Sequence, residues 1–326
     1  MEVHPIWNNY PELKKQLENT ISVIDTEIFI RNKDIEDAIL DMLHSGGKLL
    51  RPAFVHLFST FGDDHSPKRA QHIAAAVELL HTATLIHDDI IDDAEERRQQ
   101  ISIQAKYGKN IAVYAGDYLF TVVFKLLSEY ARSFDHLVFN SRGMERILMG
   151  ELNQLHLRYK EDMTIRNYLT QISGKTAQLF ALACYAGSIE GQSSHKFSLN
   201  SYYLGNHIGM AFQIIDDILD YTQTPEQLGK PVLEDVRQGV YSAPLIYALQ
   251  KDKDTILPYL RKKESMTEAD VLKVRDLVIT AGGVKEAQLL AEKYTEKALQ
   301  RIASLPETNE KKIIEEITHM MLYRKI

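Results

Sequence analysis

Between Ser66 and Asp93 the apolar positions Ile73, Val77 and Leu80, continued by Thr84, recur at helical spacing. Ser66-Pro67 supplies the start signal, a serine cap followed by proline in the first turn, so the pattern predicts a helix that runs into the segment HDDIIDD at 87–93. Glycine and proline, which punctuate local structure, are missing from 12–45, 68–107, 117–142, 151–173, 259–281 and 284–305, and these intervals also suit helices. A further long helix is predicted over 201–221, SYYLGNHIGMAFQIIDDILDY, where Gly205, Gly209, Gln213 and Asp217 follow one another at four-residue steps along one face. The two glycines read first as a place of tight helix–helix packing and second as a place of ligand approach. No alternating strand pattern recurs and no Ser/Gly/Pro-rich linker interrupts the chain. The expectation is an all-α chain, a helical bundle forming one domain over residues 1–326.

Composition narrows the function. Hydrophobic residues at 44% and charged residues at 25% of 326 are ordinary for a soluble globular protein with a large core. A formal charge of −7 argues against a basic nucleic-acid-binding surface while leaving local basic pockets open. One cysteine, Cys184, excludes an intrachain disulfide framework and a multi-cysteine zinc site, and fits a reducing cytosol. The opening MEVHPIWNNYPELKK has no signal-type apolar run, and His, Asp or Lys interrupts the apolar stretches before membrane-spanning length. The chain is therefore expected to be cytoplasmic, with no nucleic-acid partner and no transmembrane segment.

The chemistry lies in two acidic clusters. In Asp88, Asp89, Asp92 and Asp93 the first and third are one helical turn apart and point the same way, where like charges repel. Alone, this reads as a solvated acidic face. About 130 residues later the arrangement recurs as Asp216, Asp217 and Asp220, with isoleucine and leucine at every intervening position. Solvated faces rarely have such neighbours. Two carboxylate sets on two apolar helices point to helices facing each other across a cavity, each set holding Mg²⁺ while a phosphate completes the coordination.

Basic residues lie where anionic phosphates would need them: Lys48 and Arg51 in GGKLLRP, Arg97 and Arg98 after the first cluster, Lys175 in SGKTAQ, and Lys230 in LGKP. Arginine binds phosphate oxygens bidentately, and Gly46 and Gly47 free the backbone to approach an anion, so the set reads as two diphosphate sites. His81, two turns before Asp88, is either a donor to one diphosphate or a satisfied core histidine. Gly174-Lys175-Thr176 is not a P-loop, because Leu169 stands where that motif needs glycine. A helix starting or kinking at Ser173-Gly174 would still offer free N–H groups to an anion. His87-Asp88 also resembles the ligand pair of HD-type phosphohydrolases, a reading that leaves the second cluster and the arginine pair unexplained.

Taken in order, GGKLLRP, ELLH, DDIID, RR, GKT, QIIDDILD and LGK resemble the motifs of the trans-isoprenyl diphosphate synthase family, over about Gly46 to Leu249. The resemblance implies a large antiparallel helical bundle around a central cavity, usually dimeric, with the aspartate-rich helices facing each other. It implies that Lys48, Arg51, His81 and Arg98 hold isopentenyl diphosphate and that Arg97, Lys175, Thr176, Gln213 and Lys230 lie near an allylic diphosphate. Asp88, Asp92 and Asp216 match the principal Mg²⁺ ligands, with Asp89, Asp217 and Asp220 supporting them. The implied reaction is elongation of an allylic diphosphate, such as farnesyl diphosphate, by five-carbon units.

Short-chain members of the family place an aromatic ring four or five residues before the first aspartate, ~6–8 Å along the helix, as a floor for the product. Here those positions are Thr84 and Ala83, with Leu80 and Val77 further down, so medium or long products are expected. DDAEERR, AKYGKNIAVYAGDYLF and the end LYRKI are most similar to the catalytic component of two-component heptaprenyl diphosphate synthases, whose product becomes a menaquinone side chain. That similarity implies a small, unrelated helical partner subunit; a homodimeric hexaprenyl or octaprenyl synthase is the nearest competitor. Leu49, Gln99 and Val240 depart from the family pattern, the first and last removing positive charges. These losses leave room for a catalytically poor regulatory subunit, which six intact cluster aspartates disfavour.

Overall fold

The computed structural model describes residues 3–45, 47–97, 100–130, 134–223 and 233–323, without the side chains of 134–140. Among the described residues the chain is all-α apart from one pair of two-residue strands. It divides into two compact units interleaved in sequence: Met1–Ser141 with Leu182–Tyr202, and Arg142–Ala181 with Tyr203–Ile326.

In the first unit, helices α1 (Pro11–Glu27), α2 (Lys33–His44), α3 (Leu50–Ser59), α4 (Pro67–Ile91), α5 (Ile103–Tyr107) and α6 (Lys109–Tyr130) follow one another. Helix α4 packs against α1, α3 and α6, and its side chains are buried around most of its circumference, as a helix without a polar stripe requires. Ser66 caps it as predicted, its side chain accepting from the Arg69 N–H. Among the described residues, four intervals free of glycine and proline are not single helices: helix is interrupted between Leu157 and Ile165 in 151–173 and between Leu260 and Glu268 in 259–281, and two further breaks lie in this unit. Residues 12–45 break because Ile28 turns extended and the Asn32 side chain caps a new start at the Asp34 N–H. After Ile91 the chain forms an antiparallel hairpin, Glu96–Arg97 (β1) against Gln100–Ile101 (β2), before Ser102 caps α5. Helix α6 has the length and apolar content to cross a bilayer; one face packs along α4, with Asp117 beside His87, while Val113, Tyr114 and Phe124 on it are exposed.

Helix α7 (Phe134–Leu157) passes from the first unit into the second and leads to α8 (Ile165–Ile172), which runs through a π-helical turn at Ser173–Ala177 into α9 (Gln178–Glu190), most of which belongs to the first unit. Then come α10 (His195–Thr222), α11 (Glu234–Arg237), α12 (Ala243–Lys251), α13 (Lys253–Leu260), α14 (Glu268–Thr280), α15 (Gly283–Ala303) and α16 (Asn309–Leu322). Helix α12 is the hub here, packed against α8, α13, α14 and α15. The predicted helix over 201–221 is part of α10, and its two glycines do serve packing. A Cβ on Gly205 would lie 2.4 Å from the Phe180 carbonyl oxygen, and one on Gly209 would lie 2.5 Å from the Ala177 Cα. Cys184 is fully buried in α9, which pushes its thiol well above the usual range and leaves it inert.

Candidate active site: two acidic helix ends and a lysine turn

The first cluster lies at the C-terminal end of α4. The Asp92 N–H bonds to the Asp88 carbonyl at 2.9 Å, Asp93 then adopts a left-handed φ of 51°, and the Ala94 N–H closes the end on the Asp89 carbonyl at 2.9 Å. Asp88 and Asp92 are half-exposed on one face, whereas Asp89, one residue on, is only 2% exposed. Arg97 on β1 holds it, Nε donating to Oδ1 at 2.7 Å and Nη2 donating to the same oxygen. Burial raises the Asp89 pKa even so; Arg97 offsets only part of it, and the neighbouring Asp88 and Asp92 push the same way as burial.

The second cluster repeats this arrangement in the last two turns of α10. Asp216 and Asp220 are half-exposed and one turn apart, and Asp217 between them is buried. Its partners are neutral: Tyr168 of α8 donates to Oδ2 at 2.6 Å, and Gln213 donates to Oδ1 at 2.8 Å. Burial pushes the Asp217 carboxyl up to about 8, against the pull of these two hydrogen bonds. Burial, with Asp217 beside it, also raises the Tyr168 hydroxyl well above its ordinary value. Gln213 accepts in turn from the Thr176 hydroxyl at 2.7 Å, which ties the acidic helix end to the π turn.

The predicted kink at Ser173-Gly174 is that π turn, Ser173–Ala177, inside an otherwise continuous helical path from 165 to 190. It passes α7 at very short range. A Cβ on Gly174 would sit 3.0 Å from the Gly150 Cα, and a Cβ on Gly150 would sit 2.7 Å from the Lys175 N. Lys175 donates to Glu151 Oε2 at 2.8 Å, and one turn along, Gln171 donates to Gln154 at 3.1 Å.

The remaining predicted residues divide by position. Lys48 is exposed just before α3, its carbonyl accepting from the Trp7 indole at 2.8 Å; Arg51 is half-buried in the first turn of α3, and His81 half-buried on α4. Leu49 is 5% exposed and left-handed at a φ of 50°, so the charge missing there is replaced by a core side chain. Val77, Leu80, Ala83 and Thr84 are all buried on α4, and Thr84 donates to the His81 carbonyl at 2.7 Å. Gly46, Arg98, Gln99 and Lys230 lie outside the described residues. His87, the key residue of the phosphohydrolase reading, stacks on Phe120 with its Nε2 3.3 Å from Asp117 Oδ1. Sequence reasoning missed Glu151 and Tyr168. Gly150-Glu151 matches Gly174-Lys175 in form, a signal open to inspection, whereas nothing local marks Tyr168.

Both acidic clusters stand where a helix least tolerates them. The C-terminal end carries the negative pole of the macrodipole, and each misplaced carboxylate costs about 0.3–1 kcal/mol unless a cation offsets it. Among the described residues no three His, Cys, Asp or Glu side chains converge into a metal cage. Mg²⁺ does not need one, since it binds through one or two carboxylates, water and substrate phosphate. The paired, half-exposed carboxylates at a negative helix pole fit such an ion.

Comparison with known proteins agrees with this chemistry. The family described as "Polyprenyl synthetase" matches residues 32–278. The chain is 36% identical over 270 residues to heptaprenyl diphosphate synthase component 2 of Geobacillus stearothermophilus, covering 83% of each protein. The crystal structure of geranylgeranyl pyrophosphate synthase from Lactobacillus brevis superposes with a TM-score of 0.94 at 42% identity, covering 98% of this chain and 99% of that one. A polyprenyl synthase from Caulobacter crescentus, solved in complex with calcium and isoprenyl diphosphate, superposes with a TM-score of 0.90 at 29% identity, covering 97% of each.

Proposed function

The chain belongs to the polyprenyl synthetase family, and from that premise we propose that it extends an allylic diphosphate, farnesyl diphosphate in the first instance, with isopentenyl diphosphate to a medium or long all-trans polyprenyl diphosphate. The observation that carries this reading is the repeated acidic helix end, with two carboxylates presented one turn apart and the third held inside. Asp88, Asp92 and Asp216, with Asp89, Asp217 and Asp220 in support, would hold Mg²⁺. Bound there, Mg²⁺ would neutralise charge that develops on a departing pyrophosphate.

The chain's own groups carry the rest. Arg97, Lys175 and Thr176, with Gln213 and Lys230, bind and orient the allylic diphosphate; Lys48, Arg51, His81 and Arg98 bind isopentenyl diphosphate. An allylic cation forms as the C–O bond breaks, and it must be kept from water until the alkene reaches it. The isopentenyl alkene then attacks, and the proton lost from the new chain goes to the leaving pyrophosphate. The GKT hydroxyl and ammonium already point to two partners, Gln213 and Glu151, before substrate arrives.

Heptaprenyl diphosphate, made as the catalytic half of a cytoplasmic two-component enzyme and serving a menaquinone side chain, is our reading of product and partner. The name of the Geobacillus relative supports it, as does an α4 face that carries Ala83 and Thr84 in place of an aromatic floor. A geranylgeranyl product is the second reading, favoured by the 42% identity to the Lactobacillus brevis enzyme. We read residues 1–326 as one catalytic domain, because every division between the two compact units falls inside a helix, α7, α9 or α10, and not in a linker.

The test is to incubate the pure chain with Mg²⁺, farnesyl diphosphate and labelled isopentenyl diphosphate, with and without small helical proteins encoded beside it. A ladder ending at C35 only with a partner supports the two-component reading. A ladder ending at C20 from the chain alone supports the second. Thr84→Phe is expected to shorten either ladder, and absence of extension in both mixtures would sink the assignment.

A further inference from the structure

The pairing of Lys175 with Glu151 is built into the backbone. Gly150 and Gly174 let α7 and the π turn pass so closely that any side chain on either would collide, and each glycine is followed directly by one member of the ion pair. Gln154 and Gln171 bond one turn further along, which pins the register of the two helices. The Glu151 side chain is 17% exposed and that of Lys175 29%, so both charges are partly dehydrated and neither would stand well alone.

A carboxylate in this place is unexpected if Lys175 only captures diphosphate. It competes for the ammonium and repels an incoming anion, and a glutamine would hold the lysine without either effect. We propose that Glu151 is an exchangeable counter-charge: it holds Lys175 while the site is empty, yields it to the allylic diphosphate, and reclaims it as pyrophosphate leaves, so that the product anion is released. The exchange needs only rotation about the lysine's four-carbon stem, and the π turn that carries it is itself an irregular segment of helix. Glu151 is thus a positioning residue that acts through Lys175. The inference rests on reading Lys175 as a diphosphate ligand.

Pyrophosphate binding at fixed Mg²⁺ concentration, followed by calorimetry on the full chain, tests both layers separately, alongside steady-state kinetics. Glu151→Gln is expected to bind pyrophosphate about tenfold more tightly, to lower KM for the allylic diphosphate and to lower kcat as release becomes limiting. Glu151→Asp keeps the charge and should stay within about twofold of the parent in pyrophosphate affinity. Unchanged or weaker pyrophosphate binding by Glu151→Gln, in a chain whose thermal midpoint matches the parent, overturns the proposal and leaves Glu151 a structural partner. Lys175→Ala is the control for the underlying reading: if it binds pyrophosphate as well as the parent, the diphosphate site itself is misplaced.

Discussion

The two acidic helix ends share one plan and differ in how the buried carboxylate is held. At the end of α4, Asp89 is anchored by a charge from nearby in sequence, Arg97 on the following hairpin. At the end of α10, Asp217 is anchored by neutral donors, one of them Tyr168 from α8, 49 positions away. Burial raises both carboxyls; at Asp89 the Arg97 cation offsets part of the rise, whereas at Asp217 two neutral hydrogen bonds leave the carboxyl up at about 8. The same motif therefore holds its buried carboxylate by a cation in one unit and by neutral donors in the other.

The largest expected effect removes what the two ends share. Asp88→Ala or Asp216→Ala should each lower kcat by about 10²–10³, the usual loss when a group stabilising transition-state charge is deleted. A loss at one end only would break the equivalence of the clusters. Removing what distinguishes them comes next. Arg97→Ala leaves Asp89 buried without its cation, a class of change that costs about 3–5 kcal/mol for fully buried pairs. The Arg97 side chain is 32% exposed, so solvent reduces this to about 2 kcal/mol. Tyr168→Phe removes one of two hydrogen bonds to Asp217 and should cost about 1 kcal/mol. Urea unfolding of the two variants side by side checks the order; equal losses would mean that charge is not what separates the two anchors.

Much of this was legible in the sequence because it rests on local rules. Ser66-Pro67 does start α4, the glycines at 205 and 209 do mark close packing, and the i, i+4 carboxylates do share a face. Breaks made without glycine or proline were not legible, since Asn32 caps a helix and Asp93 turns left-handed through side chains that pattern counting treats as neutral. The role of Tyr168 arises from a contact between distant segments, for which no spacing rule exists, and that of Glu151 shows only once Gly150 is set beside Gly174.

The smallest effect is in pH dependence, where the two units should differ in sign. In the first unit, His56 is buried against the Thr20 hydroxyl at 2.8 Å, and burial, with His65 nearby, lowers it from 6.5 to about 3. The unfolded chain takes up that proton first, so stability is lost as pH falls from about 6.5 towards 3, by up to ~1.4 kcal/mol per pH unit. In the second unit, Asp217 is raised from 3.8 to about 8, so its folded form favours the proton, and metal-free stability is lost as pH rises across that window. His207, lowered by burial and then by Arg301 and Lys297 to about 4, opposes this below 6.5, so each group must be isolated by difference. Unfolding free energies of His56→Gln and Asp217→Asn, each subtracted from the parent across pH 4–8 without divalent cation, should slope in opposite directions. A flat Asp217→Asn difference would mean that Asp217 stays ionised, and the contrast between the two anchors would then be one of sequence distance and partner charge alone.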